Sequence, residues 1–124
     1  MAASVTKTEQ TIGVIKKITW AWTSHTDGKV AVATVGASTE NTFNGEIVRL
    51  VTVPAPGGDA PTTYNVLVYD ADNVDVLVGT GATRHIANTE QVVADLGIVA
   101  NDKLTLYIEN AGSGKKGTVH LYIR

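Results

Sequence analysis

Three acidic side chains crowd one short stretch, Asp70-Ala71-Asp72-Asn73-Val74-Asp75, and alternate carboxylates in a tight loop are the raw material of a calcium site. The pattern departs from an EF-hand: Val74 holds the fifth position, Asp75 replaces the glycine at the sixth, and Gly81 stands where a bidentate Glu belongs at the twelfth. An Asx turn between two strands accounts for the same residues. Whether Asp70, Asp72 and Asp75 also bind a metal ion stays open. Gly79-Thr80-Gly81-Ala82-Thr83-Arg84 starts like a dinucleotide fingerprint but puts Arg84 at the third glycine, and no amphipathic helix begins there to receive a pyrophosphate. Gly112-Ser113-Gly114-Lys115-Lys116-Gly117 fails as a phosphate loop, because Glu109 holds the first glycine position and Lys116 that of the Mg²⁺-binding hydroxyl. His25, His85 and His120 lack the local spacing of a metal site. Ser24, Ser38 and Ser113 are in no nucleophile-elbow context. The chain reads as a non-enzyme with no cofactor.

Composition narrows the class of partner. The ten Lys and Arg are scattered except for Lys16-Lys17 and Lys115-Lys116, and the net charge is −2, so no basic stripe is available to track nucleic acid. Cysteine is absent, which removes disulfides, thiolate metal sites and a Cys nucleophile. The opening Met1–Lys7 has no apolar core, so it is neither signal peptide nor membrane anchor, and a soluble cytosolic product is expected. Charged residues make up 18%, against about 25% in ordinary soluble domains. Two readings fit that deficit: part of the surface is covered in use, or a Thr/Asn/Gly-rich surface is solvated by neutral groups.

The elements that must carry these side chains are mostly strands. Residues 1–10 are polar and aperiodic and read as an arm, mobile or laid on a neighbour. Residues 11–124 read as one domain. From Thr11 to Ser24 the alternation is β-like, and Asp27-Gly28 signals a hairpin to Val30–Val35. That register sets Trp22 opposite Ala33 and Trp20 opposite Val35. Gly45–Val53 is apolar on both parities, as a central strand is. All three prolines fall in 54–61, a connecting loop. Tyr64–Tyr69 and Val74–Val78 form a further pair. Asn88, Gln91 and Gly97 frame a short helix near 88–96. The fold class is all-β, a β-sandwich or jelly-roll-like barrel of about 7–8 antiparallel strands with that one helix.

Lys103–Asn110 and Gly117–Arg124 both alternate, with Leu104, Leu106, Ile108 and Val119, Leu121, Ile123 as their apolar members. Joined as a hairpin through the Gly-rich loop, they would place Tyr107 across from His120, and Tyr122 across from Thr105. Tyr107, His120 and Tyr122 then form an outer face suited to a protein contact. Trp20 and Trp22 read as core rings, because Ile18 continues their face. A stacking platform for sugars is the alternative.

Taken together, Gly45-Glu46-Ile47-Val48-Arg49, Val51-Thr52-Val53-Pro54, Ala60–Val66, Asp70–Gly81, Thr83-Arg84, Asn88–Gln91 and Gly117–Arg124 resemble small virion structural proteins of tailed bacteriophages. The likeness covers about residues 43 to 124. It implies a virion component on the capsid surface, made in the host cytoplasm: a head decoration (cement) subunit that contacts the major capsid protein and itself, as a trimer near a three-fold position. Thr6 and Lys7 on the arm, with Tyr107, His120 and Tyr122, are then the interface candidates. Placement in the tail or the head–tail connector, and a glycan-binding adhesin module, are the competing readings. No catalytic residue carries over from that family.

Overall fold

The computed structural model describes residues 2–124, and the fold they form is all-β, with eight strands in two antiparallel sheets. The strands are β1 (Ser4–Ile12), β2 (Ile15–Thr23), β3 (Phe43–Pro54), β4 (Asn65–Tyr69), β5 (Glu90–Val92), β6 (Ile98–Asp102), β7 (Thr105–Glu109) and β8 (Lys116–Ile123). The large sheet runs β1-β2-β8-β3-β5, with β6 on the first residues of β3; β4 and β7 make the small sheet. No barrel closes. Bridged segments widen the small sheet: Val30 exchanges two backbone bonds with Ile108 at 3.0 and 3.1 Å, and Val76 donates to Val68 at 2.8 Å.

Alternation explains which side chains meet between the layers. Ile18, Trp20 and Trp22 of β2 and Val119, Leu121 and Ile123 of β8 face Val66 and Val68 of β4 and Leu106 and Ile108 of β7, all almost fully buried. Each such side chain contributes roughly 1.5–3 kcal/mol relative to exposure. The two tryptophans are therefore core rings. Trp20 donates its indole N–H to the Ala37 carbonyl at 3.0 Å, and the Trp22 ring lies 5.4 Å from that of Tyr64. β3 is the expected central strand, bulged between Ile47 and Arg49.

Several pairings differ from the sequence expectation, each for a local reason. β7 and β8 are not a hairpin: β7 pairs with β4, while β8 lies between β2 and β3. The segment between them crosses from one layer to the other, pinned by buried Ser24, which donates to the Gly112 carbonyl at 2.6 Å and accepts from the Lys115 amide at 2.9 Å. The two apolar faces thus oppose each other across the core instead of lying side by side. Val30–Val35 is not the partner of β2 either, so Trp20 and Trp22 do not oppose Val35 and Ala33. Asp27-Gly28 does turn the chain, but Val30 joins β7, and tight turns at Ala31–Ala37 throw Val32 and Val35 outward. Val74–Val78 is a turn-rich return along β4, bridged at Tyr69–Asp75 and bonded from the Val76 amide to the Val68 carbonyl, and not a regular strand.

The helix expected at 88–96 does not form. The His85 ring Nδ1 takes the amides of Ala87 and Asn88, each at 2.9 Å, and Glu90–Val92 pairs with Leu50–Thr52 as β5. The only helical element among the described residues is a 3-10 turn at Gly57–Asp59. The expected arm is strand β1 from Ser4 onward. Val5 packs on the core, and the Glu9 carboxylate accepts the amides of Glu40 and Asn41 at 3.0 and 3.1 Å, which ties the strand to the loop beneath it. Met1 lies outside the described residues.

Candidate docking face

The outer face of the large sheet is built by residues opposite in parity to the core set. Strand register aligns Gln10, Lys17, Tyr122 and Arg49 in one row; Thr8, Thr19, His120, Val51 and Gln91 in the next; and Thr6, Ala21, Thr118 and Val53 in the third. The chain has twelve Asp and Glu, and none stands in these rows. On a chain of net charge −2, these three rows carry Lys17 and Arg49 as their charged members, and the rest of them is neutral or aromatic. The row beyond Tyr122 adds an opposed pair, exposed Glu46 of β3 across from Arg124.

Tyr122 is the centre of the charged row. The Lys17 ammonium lies 5.4 Å and the Arg49 guanidinium 5.1 Å from its ring centroid, within cation–π range and worth about 0.5–1 kcal/mol each at an exposed site. Arg49 is held further by a bond from its Nε to the Gln91 side-chain oxygen at 2.9 Å. In the next row the Thr19 hydroxyl and His120 Nδ1 are 2.9 Å apart. Burial, then the charges of Lys17 and Arg49, push the His120 pKa below the usual imidazole value. His120 is therefore neutral at pH 7, and the face acquires a third positive charge only in acid. Beside the third row, Thr6, Val53 and Thr118 share a shallow groove of about 460 Å³ with the Pro54–Pro56 turn.

The structure gathers Thr6, His120 and Tyr122 on this one face and sends the other two interface candidates elsewhere. Tyr107 is on the outer side of the small sheet, opposite Leu67, with its ring 6.0 Å from that of Tyr69. Lys7 points inward from β1, 3.8 Å from Glu9 and 3.7 Å from Glu40. Lys17 and Arg49 are the residues that sequence reasoning missed. Their signal was parity: each shares a row with Tyr122, but only the β2-β8-β3 order brings them beside it.

The other chemistry-bearing clusters resolve into backbone ligation. Asp70 Oδ1 accepts the amides of Asp72 and Val74 at 2.9 and 3.1 Å, an Asx turn, with Asn73 at φ +61°. Asp75 accepts three amides, from Val68, Leu77 and Gly79. No group of three or more His, Asp or Glu poised for a metal ion occurs among the described residues. The three histidines sit on separate elements, His25 in the Asp27-Gly28 turn, His85 in the 85–88 turn and His120 on β8. Trp20 and Trp22 are 0% and 2% exposed and present no platform to a sugar. No helix among the described residues is long and apolar enough to cross a membrane. The chain matches no protein-family model, no curated protein and no solved structure.

Proposed function

We propose that this chain is a non-enzymatic virion structural protein, a decoration (cement) subunit that lays the outer face of its large sheet on the head shell of a tailed bacteriophage. The observation that carries the docking element is the run of three outward rows without a carboxylate, centred on the Lys17–Tyr122–Arg49 stack. Weakly cationic, such a patch suits a surface bearing acidic side chains, here the major capsid protein, and it uses the Tyr and Arg side chains in which protein interfaces are enriched. The virion element comes from the sequence resemblance. A subunit that binds the assembled lattice and not its dissociated parts stabilises the lattice by mass action, and repetition over many sites makes weak individual contacts sufficient.

Cryo-electron microscopy of the particle whose genome encodes the chain tests placement: density for this sandwich on the head shell supports the reading, and its absence from the head overturns it. Density in the tail or connector supports the competing virion role. Lys17→Glu with Arg49→Glu tests the face. Loss of sedimentation with undecorated shells, with the fold intact by circular dichroism, is the expected result.

A further inference from the structure

We infer that β1 is the seam of a two-fold homodimer in which the β1 strands of two copies pair antiparallel about Thr8. β1 ends the large sheet and pairs only with β2, through nine register positions. Among the described residues, no backbone hydrogen bond outside that pairing engages Ser4–Ile12. Every second N–H and C=O along the strand is therefore directed away from the sheet. Proteins guard such edges with proline, bulges, covering loops or inward charges left to repel a newcomer. β1 has no proline and no bulge; the Gly36 backbone abuts its Val5 carbonyl, so the open stretch is the one about Thr8, and its two inward charges, Lys7 and Glu9, are already matched to each other at 3.8 Å.

The order of these charges selects the occupant. Antiparallel pairing about Thr8 sets Lys7 opposite Glu9 of the second copy and Glu9 opposite its Lys7, with Thr6 opposite Gln10. Moving the centre by one residue in either direction stacks Lys7 on Lys7 or Glu9 on Glu9, which opposes like charges directly. The strand is thus self-complementary in one register and penalised in its neighbours, as a closed two-fold interface requires. The same register brings Ile12, 63% exposed at the β1–β2 turn, to the far end of the second copy's edge, opposite Ser4. There Ala3, Val5 and Val35 line a groove that also takes in His25, Asp27 and Lys29. The pair joins two large sheets into one and doubles the outer face that carries the Lys17–Tyr122–Arg49 row.

Sedimentation equilibrium from micromolar to submillimolar concentration tests the seam, with a monomer–dimer equilibrium expected. Thr8 faces outward and is exposed, so its substitution spares the core. Thr8→Lys and Thr8→Glu each place like charges across the two-fold and should weaken the dimer about fivefold, while mixing the two variants restores association. Because the chain has no cysteine, Thr8→Cys supplies a single thiol. Opposed Cα atoms about 4.5–5.5 Å apart lie within disulfide reach, so oxidation should give a covalent dimer, and Thr118→Cys, in the middle of the sheet, should not. A monomer at every concentration overturns the seam, as does a trimer without a dimer. A dimer indifferent to charge at position 8, or one that cross-links better through Thr118→Cys, overturns it equally.

Discussion

Gly117 shows how much one missing side chain settles at the residue scale. A Cβ placed there would sit 2.6 Å from Cζ2 and 2.9 Å from Cε2 of the buried Trp22 ring, so Gly117→Ala forces the indole to shift within a close-packed core. A loss of about 1–3 kcal/mol, the usual cost of overpacking, is expected in urea unfolding. Two titrations follow from burial. The pKa of Tyr64 is pushed up to about 12, mainly by desolvation; the neighbouring Thr52 hydroxyl opposes the shift but stands outside hydrogen-bond geometry. Above pH 10 the unfolded chain releases this proton before the folded one does, so stability falls as pH climbs from 10 toward 12. Tyr64→Phe should flatten that decline in thermal melts. For His120 the sign reverses: burial holds its folded pKa below the ordinary imidazole value of 6.5, so the unfolded chain takes up the proton first and stability drops as pH falls below 6.5. His120→Gln should remove that slope. At this scale the sequence was informative, since alternation assigned Ile18, Trp20, Leu106, Leu121 and the outward Tyr122 to their correct faces.

Between elements, alternation says which face a residue takes and nothing about which strand lies beside it. The 103–110 and 117–124 segments carry the expected in-and-out pattern, yet they belong to different sheets: the crossing loop between them is held against the 24–28 turn, through the Ala111 amide to the Gly28 carbonyl and through the buried Ser24 hydroxyl to Gly112. That bond joins residues some ninety positions apart, beyond the reach of any turn rule. The helix frame at Asn88, Gln91 and Gly97 failed similarly: His85 took the Asn88 amide to which Gln91 would have reached back, and β3 offered a strand partner. Ser24→Ala removes the acceptor of the Lys115 amide and the donor to Gly112. It should cost about 1–3 kcal/mol, the penalty for leaving buried polar groups unsatisfied, whereas Ser113→Ala, exposed on the same loop, should be near neutral. Paired denaturant curves for the two variants check this.

For the whole molecule, the low charged fraction acquires a location. Most acidic residues lie in turns, on edge strands or on the inner side of β1, and the three central outward rows of the large sheet have none. The docking candidates were half legible: His120, Tyr122 and Thr6 share that face, but the cations beside Tyr122 became visible only once β8 was known to separate β2 from β3. If the face docks by complementary charge, its binding to undecorated shells should weaken as salt rises, since exposed charges are screened within about 8–10 Å at physiological ionic strength. Acidification below the ordinary imidazole range should strengthen attachment by charging His120, provided that the shell's carboxylates remain ionised. Shell co-sedimentation across a salt and pH series reads both.

The latest strand in chain order occupies the middle of the large sheet, with β2 on one side and β3 on the other. During synthesis, then, β2 and β3 wait without their shared neighbour until the final segment emerges, so the β1–β2 ribbon and the β3–β5 and β3–β6 pairings stay two separate pieces of the large sheet. Long-range pairing of this kind is slow and leaves sticky intermediates open to misassembly. A chain cut after Lys115 should accordingly stay aggregation-prone, and a synthetic peptide of residues 116–124, supplied in trans, should rescue its refolding.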